Sequence, residues 1–359
     1  MCLRCPSAES GNSKTRSEMN SILAEVTMNN EAVWLSEADI TSLVSLKDTV
    51  AALEDGVRQL GQGTAFNVAK ALGSLGATSS MHSLGSAMTD SGFCGYKNWI
   101  NTPAGAKAVF VLFDGNEGRL LAVMEANSLG QLRTSAITGL GTKWVAREGA
   151  NEMAMIGSGR QALAQVAAVH LVRPLKRLRV WSPTPEKRSA FCRSVSEALD
   201  IEVSEATTVE EATDGAPIVT TVTRAREPFL KASMLSRGAH LNAVGAILPN
   251  NAELDQDVFS RVGFIAVDDV ANARKASREL IDYFDHGPGA GNWDLVRPLG
   301  GVIAGSESAS SDCDITLFKS MGMGISDLTV AALAYERAVQ RGSGTQLKLT
   351  SKGEIRLTS

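Results

Sequence analysis

The hydrophobic period of the chain changes several times, and each change marks a change of element. Trp34–Ile40 reads as a strand running into a turn, with Ser36 placed as a helix N-cap. Lys47–Gln62 puts Val50, Leu53, Val57 and Leu60 on one face at helical spacing. Ala65–Gly85 is rich in small residues and holds neither period, so extended structure with loops is expected there. Cys94–Trp99 is a short strand, a turn follows at Thr102–Gly105, and the apolar run Ala108–Asp114 predicts a buried strand. Asp114-Gly115 opens a hairpin turn that Gly118 completes, and Leu120–Glu125 returns as its partner. Leu129–Glu148 switches back to helical period through Leu132, Ala136, Leu140 and Trp144.

The next stretch organises the rest. Met153–Ile156 is a short apolar strand, and Gly157-Ser158-Gly159-Arg160-Gln161-Ala162 is a G-x-G-x-x-A turn leading to a helix near Gln161. Gly157 permits the sharp turn, Gly159 lets backbone approach a pyrophosphate, and Ala162 allows close helix–strand packing. The free N–H groups and positive dipole end of that helix favour phosphate, so Arg160 and Gln161 become candidate cofactor contacts. Strands and helices then alternate: Leu178–Trp181, Pro185–Ala198, Ile201–Glu205, Val209–Thr213, Ile218–Thr221, His240–Val244 and Phe264–Val267. This alternation predicts an α/β fold with a doubly wound parallel sheet of Rossmann type. The second strand ends Val180-Trp181-Ser182 without the acid that selects NAD, while Thr184, Lys187 and Arg188 suit a 2′-phosphate. Use of NADPH at least as readily as NADH is therefore expected, although Glu186 is close. The hydroxyls of Thr220, Thr221 and Thr223 end a strand where ribose or nicotinamide would pass. A last helix is expected from Ser326-Asp327 to about Arg341, and Gly300–Ser311 is the most flexible candidate loop.

Composition narrows the class. Of the 359 residues, 44% are hydrophobic and 21% charged, as in an ordinary globular protein long enough for two cores. The net charge of −4 is interspersed without a basic block, which argues against a nucleic-acid partner. No apolar run approaches the roughly eighteen residues of a membrane span. The N-terminus has no apolar signal region, and Glu9, Glu18 and Glu25 argue against a transit peptide, so a cytoplasmic protein is expected. Residues 1–27 are read as a disordered extension, or as sequence upstream of a start at Met19 or Met28. Cys2, Cys5, Cys94, Cys192 and Cys313 are odd in number and scattered, which argues against a disulfide framework. Cys2-x-x-Cys5 lacks a second pair, there are only four histidines, and no metal is expected.

Four motifs then agree in order and spacing: Leu132-Arg133-Thr134-Ser135-Ala136, the turn GSGRQA, GAHLNAVGAILPNNAELD at 238–255 and ITLFKSMGMGISDL at 315–328. Over residues 30–342 the chain resembles the ornithine cyclodeaminase/mu-crystallin family. The resemblance implies a mixed α+β substrate-binding and dimerisation domain, residues 28–130 plus 321–345, joined to a Rossmann domain at 131–320. It implies NADP or NAD as cofactor, a small imino or amino acid as substrate, and a homodimer. The family's carboxylate-binding lysine falls on Lys97, as catalytic and substrate-binding residue; a snorkelling lysine is the alternative. Its second carboxylate anchor, an arginine, is matched loosely by Lys70, and Met321 lines the substrate. Arg133, Thr134, Gly157, Gly159, Arg160, Gln161, Ser182, Thr184, Lys187, Arg188, Thr221, Asn242, Ala243, Val244 and Ser320 are the expected cofactor contacts. His82 is either a catalytic acid or a structural polar residue. Asp327 reads as a first-turn acid favoured by the helix dipole.

One departure is informative. Where ornithine cyclodeaminase carries an aspartate after the NAVGA segment, this chain has Ile247, and Asn251 replaces the lysine that follows. Isoleucine transfers no protons. The implied activity is NAD(P)H-dependent reduction of an α-imino acid or cyclic ketimine carboxylate, of the ketimine, pyrroline-2-carboxylate or iminosuccinate reductase type. The alternatives are ornithine cyclodeaminase, alanine dehydrogenase, and a non-catalytic mu-crystallin-like binding protein.

Overall fold

The computed structural model describes residues 31–305, 307–350 and 356–357; the expectation for residues 1–27 and the Cys2–Cys5 pair lie outside them. The chain runs β1 (Glu31–Leu35), α1 (Glu37–Leu43), α2 (Leu46–Gln62), β2 (Ala65–Leu75), β3 (Ser79–Met88), β4 (Phe93–Thr102), β5 (Gly105–Asp114) and β6 (Arg119–Glu125). It continues through α3 (Asn127–Val145), β7 (Glu152–Ile156), α4 (Ala162–Val172), β8 (Arg177–Trp181), α5 (Pro185–Ala198), β9 (Glu202–Glu205), α6 (Val209–Thr213), β10 (Ile218–Thr221) and β11 (Ala239–Ala243). It ends with β12 (Val262–Val267), α7 (Val270–Ala276), α8 (Arg278–Phe284), β13 (Val296–Pro298), α9 (Leu299–Ile303), β14 (Ile315–Lys319), α10 (Gly324–Arg341) and β15 (Thr345–Lys348). Among the described residues, no helix is long and apolar enough to cross a membrane.

Short-range chemistry sets the first helices. Ser36 and Asp39, then Ser45 and Asp48, form reciprocal capping boxes that start α1 and α2. The strand ends at Leu35, and Ser36 caps the helix as expected from the sequence. Val50, Leu53 and Val57 are buried on α2, as the helical spacing requires.

Among the described residues the strands form two sheets. The first runs β15-β1-β6-β5-β4-β3-β2 and is antiparallel except where β1 meets β6. Direct cross-strand partners share a face, so Leu84, Lys97, Phe110 and Met124 line up on the buried side, against which α10 packs. Ala65–Gly85, expected to be extended with loops, lies in two long paired strands with one irregularity between Val68 and Ala71. Strict alternation is missing there because the outer face is itself apolar: Phe66, Val68, Met81, Tyr96 and Ile100 are all exposed on it.

The second sheet is parallel throughout, in the order β13-β12-β14-β11-β10-β7-β8-β9. Strand order reverses beside β7, and the crevice between the ends of β7 and β10 is the topological switch point where such sheets bind ligands. The expected loop Gly300–Ser311 is corrected at its start. Leu299–Ile303 is a helix, and a Cβ on Gly61 of α2 would lie 2.1 Å from the Gly300 carbonyl, so two bare backbones are packed together.

Candidate functional site

The glycine turn sits at the C-terminal end of β7. Gly157 has φ +116°, and a Cβ there would meet the Val222 carbonyl at 2.9 Å, so geometry and space both require glycine. Gly159 differs: a Cβ would meet nothing within 4 Å. The space beside it is open to a group approaching from outside, such as a pyrophosphate. α4 then starts at Ala162 with no side-chain cap from Gln161, which leaves its first N–H groups for a ligand. The Arg160 carbonyl accepts from Gln131 Nε2 at 3.1 Å, which ties the turn to α3. Ser158 Oγ donates to Ser182 Oγ at 2.9 Å, joining the turn to the end of β8. Ser182 is buried, Lys187 is exposed, and the Thr184 side chain makes no cap bond at the start of α5. These residues fit a bound dinucleotide.

Arg188 is already engaged. It donates from Nη1 to the Ser182 carbonyl at 3.0 Å and from Nε to Glu205 Oε2 at 3.0 Å, and Ser189 Oγ donates to Glu205 Oε1 at 2.6 Å.

The loops after β10 and β11 are held by an acid that sequence reasoning passed over. Glu253, fully buried, accepts from Thr221 Oγ1 (2.9 Å), Gly245 N (2.9 Å) and Ala246 N (3.3 Å) on one oxygen. Its other oxygen accepts from Thr223 N (2.6 Å) and Thr223 Oγ1 (2.7 Å). The Glu253 amide donates to Glu279 Oε1 at 2.7 Å, and Glu279 pairs with the buried Lys319 at 2.6 Å. Burial pushes the Glu253 carboxyl up, against the pull of the Lys319 ammonium and the Thr223 bonds. The hydroxyls of Thr221 and Thr223, expected to meet the cofactor, are therefore committed to Glu253. The Asn242 side chain is engaged in a similar way. It is fully buried, donates to Thr142 Oγ1 at 2.9 Å and Thr220 Oγ1 at 3.2 Å, and is bonded to His240. Ala243 and Val244 are buried beside it and fix the strand ends through backbone bonds.

The FKSMG segment closes the same edge. Asp268, buried, accepts from Ser320 Oγ at 2.9 Å, Met321 N at 2.7 Å and Gly322 N at 2.8 Å. The Ser320 hydroxyl thus holds the turn. Met321 is buried, and Thr134 Oγ1 donates to the Gly130 carbonyl of its own helix at 2.7 Å.

Across the crevice, the cations predicted from sequence come together. Lys97 is buried on β4, with Nζ 2.7 Å from Asp327 Oδ1, and Arg133 Nε lies 3.2 Å from the same oxygen. Lys97 Nζ sits 5.0 Å and Lys70 Nζ 5.6 Å from the Trp99 ring centroid, so both ammonium groups lie against one aromatic ring. Desolvation, then the Arg133 charge, pulls Lys97 down to about 8 although Asp327 opposes them. Burial and Arg133 lower Lys70 as well. Lys97 is no snorkelling lysine, and Asp327 is more than a first-turn acid: it is fully buried as the counter-ion of two cations. His82 stacks on Trp99 with centroids 4.5 Å apart, and its Nε2 is 2.8 Å from Ser80 Oγ. Burial and the Lys70 charge hold His82 below its ordinary value, so it stands neutral at pH 7 and is not a ready acid. Asn67 links the two sides, donating to Asp269 at 3.1 Å and accepting from Ile325 N at 2.9 Å.

Comparison with known proteins shows the family and the fold. The family model described as "Ornithine cyclodeaminase/mu-crystallin family" matches residues 30–342. The ketimine reductase mu-crystallin of Mus musculus is 33% identical over 274 residues, covering 76% of this chain and 83% of the relative. The Δ1-pyrroline-2-carboxylate reductase of Thermococcus litoralis, solved in complex with NADH and L-proline, superposes with a TM-score of 0.82 at 28% identity. It covers 87% of this chain and 99% of its own. An archaeal alanine dehydrogenase dimer with bound NAD gives a TM-score of 0.82 at 27% identity, covering 89% of this chain and all of its own (100%).

Proposed function

The chain belongs to the ornithine cyclodeaminase/mu-crystallin family, and on that premise we propose that it is an NAD(P)H-dependent reductase of an α-imino acid or cyclic ketimine carboxylate, giving an L-amino acid. The observation that carries the reading is the cation cluster. Lys97 and Lys70 lie over Trp99, and Arg133 shares Asp327 with Lys97. An α-carboxylate is the group that such a site neutralises, and charge-assisted bonds in a buried cleft orient it firmly.

The dihydronicotinamide, when bound, supplies a hydride. The chain does the rest. Gly159 and the open start of α4 receive the pyrophosphate, Glu253 and Asp268 fix the loops around the crevice, and Lys97 with Arg133 holds the carboxylate so that the imine carbon faces the donor. An imine already protonated becomes an amine on hydride transfer without further acid catalysis, which suits a site where Ile247 replaces an acid. The names of two relatives, a ketimine reductase and a pyrroline-2-carboxylate reductase, support the class of substrate.

We also propose a homodimer, with the first sheet and α10 as the substrate and dimerisation domain. The exposed apolar outer face carrying Phe66, Met81, Tyr96 and Ile100 is the surface a second copy would cover.

The test is oxidation of NADH and NADPH across a panel: pyrroline-2-carboxylate, piperideine-2-carboxylate, iminosuccinate, and pyruvate with ammonia or methylamine. Turnover of at least one cyclic or α-imino acid is expected. Tight cofactor binding with no turnover of any would overturn the assignment in favour of a binding protein.

A further inference from the structure

The end of β8 is where a dinucleotide-binding fold meets the adenosine ribose, and the choice between NAD and NADP is made there. Here that strand ends in Trp181 and Ser182, with no acid of its own. Arg188 comes from the first turns of α5 and places its guanidinium at this point, because Nη1 donates to the Ser182 carbonyl at 3.0 Å. Its Nε, however, is bonded to Glu205, a residue of the neighbouring strand β9. Glu205 is itself fixed from the same helix by Ser189 at 2.6 Å.

This pairing reverses the expectation that NADPH serves at least as readily as NADH: we propose that Glu205 decides cofactor choice, Arg188 being a receptor for a ribose 2′-phosphate that Glu205 keeps occupied, so the protein prefers NADH. The inference rests on the reading that a nicotinamide dinucleotide binds at the glycine turn. A phosphate monoester brings a charge of about −1.5 to −2 at neutral pH. Arg188 alone would meet it with a planar, always-charged fork. Paired with Glu205, the guanidinium offers no net charge, and the carboxylate repels the incoming phosphate. Glu186 and Lys187, both exposed, offset each other nearby. The arginine side chain is only 12% exposed and is held in place by its bonds from Nε and Nη1. Removing one negative charge therefore changes the selectivity of a receptor that already has its shape.

The experiment compares wild type, Glu205→Gln, Arg188→Gln and the double variant. One readout is the ratio of kcat/KM for NADPH to that for NADH, with one imine substrate at fixed ionic strength. The other is equilibrium binding of 2′,5′-ADP against 5′-AMP, which needs no turnover. Wild type is expected below unity in the kinetic ratio. Glu205→Gln should raise both ratios about tenfold or more, and adding Arg188→Gln should cancel the gain. Binding of both nucleotides with ratios unmoved by Glu205→Gln would overturn the role of Glu205. So would a gain that survives loss of Arg188. Failure of every form to bind either nucleotide would instead overturn the dinucleotide site itself.

Discussion

Lys97 Nζ lies 2.7 Å from Asp327 Oδ1, two residues 230 positions apart that meet in a site closed to solvent. The pair joins a strand of the first sheet to the last helix. Because Arg133 shares the same oxygen at 3.2 Å, the carboxylate orients two cations at once. If Lys97 holds the substrate carboxylate, Lys97→Ala removes a charge-assisted bond at the reacting centre. Catalytic efficiency on the imine should fall by about 2–4 kcal/mol, with cofactor affinity nearly unchanged. Steady-state kinetics and a cofactor titration decide; near-wild-type turnover would refute the assignment.

Asp327→Asn should behave differently, since it leaves two buried cations without their counter-ion. Breaking a buried pair from one side typically costs about 3–5 kcal/mol of stability. Denaturant unfolding should show a loss of this order, partly recovered when Lys97→Met is added. A single Asp327→Asn variant as stable as wild type would show that the carboxylate is not needed to hold the cluster.

The lowered Lys97 value sets a pH window. Burial, with Arg133 beside it, brings the ammonium from 10.5 to about 8, so between those values the native lysine has lost a proton that an exposed one keeps. The sign for activity follows: carboxylate binding needs the charged form, so kcat/KM for imine reduction should fall as pH rises through about 8. Lys97→Arg keeps its charge at all these pH values and should lose that limb. A limb unchanged in Lys97→Arg would assign it to the substrate imine instead.

These groups differ in how far the sequence revealed them. The glycine turn was legible because its spacing is dictated by local backbone geometry, and the open space at Gly159 agrees with that reading. Lys97 was singled out by the family resemblance, which matches the carboxylate-binding lysine to it. Asp327 looked like any acid in a first helical turn, because the ion pair that buries it is made with a residue on another element. Glu253 gave no signal at all: a glutamate among Asn and Asp residues reads as a solvated loop, and only the fold brings the ends of β10 and β11 around it. β2 and β3 were obscured because polar alternation marks a sheet face that meets water, and this outer face, with Phe66 and Met81, is apolar.

Glu253 yields a prediction of its own. Five donors converge on its two oxygens, so Glu253→Gln keeps the shape but turns N–H groups toward other N–H or O–H donors. Leaving buried polar groups unsatisfied costs about 1–3 kcal/mol, and the loosened turns at Thr221–Thr223 and Val244–Ala246 flank the crevice. The variant should fold, with a lower unfolding midpoint and weaker NADH affinity measured by fluorescence titration. Wild-type affinity in a destabilised variant would separate these turns from the cofactor site.

Ile247 separates reduction from cyclodeamination. Conversion of ornithine to proline requires oxidation to an imine, loss of ammonia and internal attack by the side-chain amine. Each later step moves a proton, and a positioned carboxylate contributes about 10²–10⁴-fold to such a transfer. Ile247 supplies none, and it stands partly exposed (40%) on the loop after β11. Two acids that might substitute, Asp268 and Glu307, are engaged elsewhere. Asp268 is buried, with its oxygens filled by Ser320, Met321 and Gly322, and Glu307 pairs with Arg297. An apolar side chain here also disfavours a charged distal ammonium, whereas a flat ketimine or small apolar imino acid meets neither objection. Negligible proline is therefore expected from ornithine with NAD, alongside measurable NAD(P)H consumption with an imine carboxylate. Product analysis after prolonged incubation checks both, and robust proline release would show that a different group performs the proton transfers that Ile247 cannot.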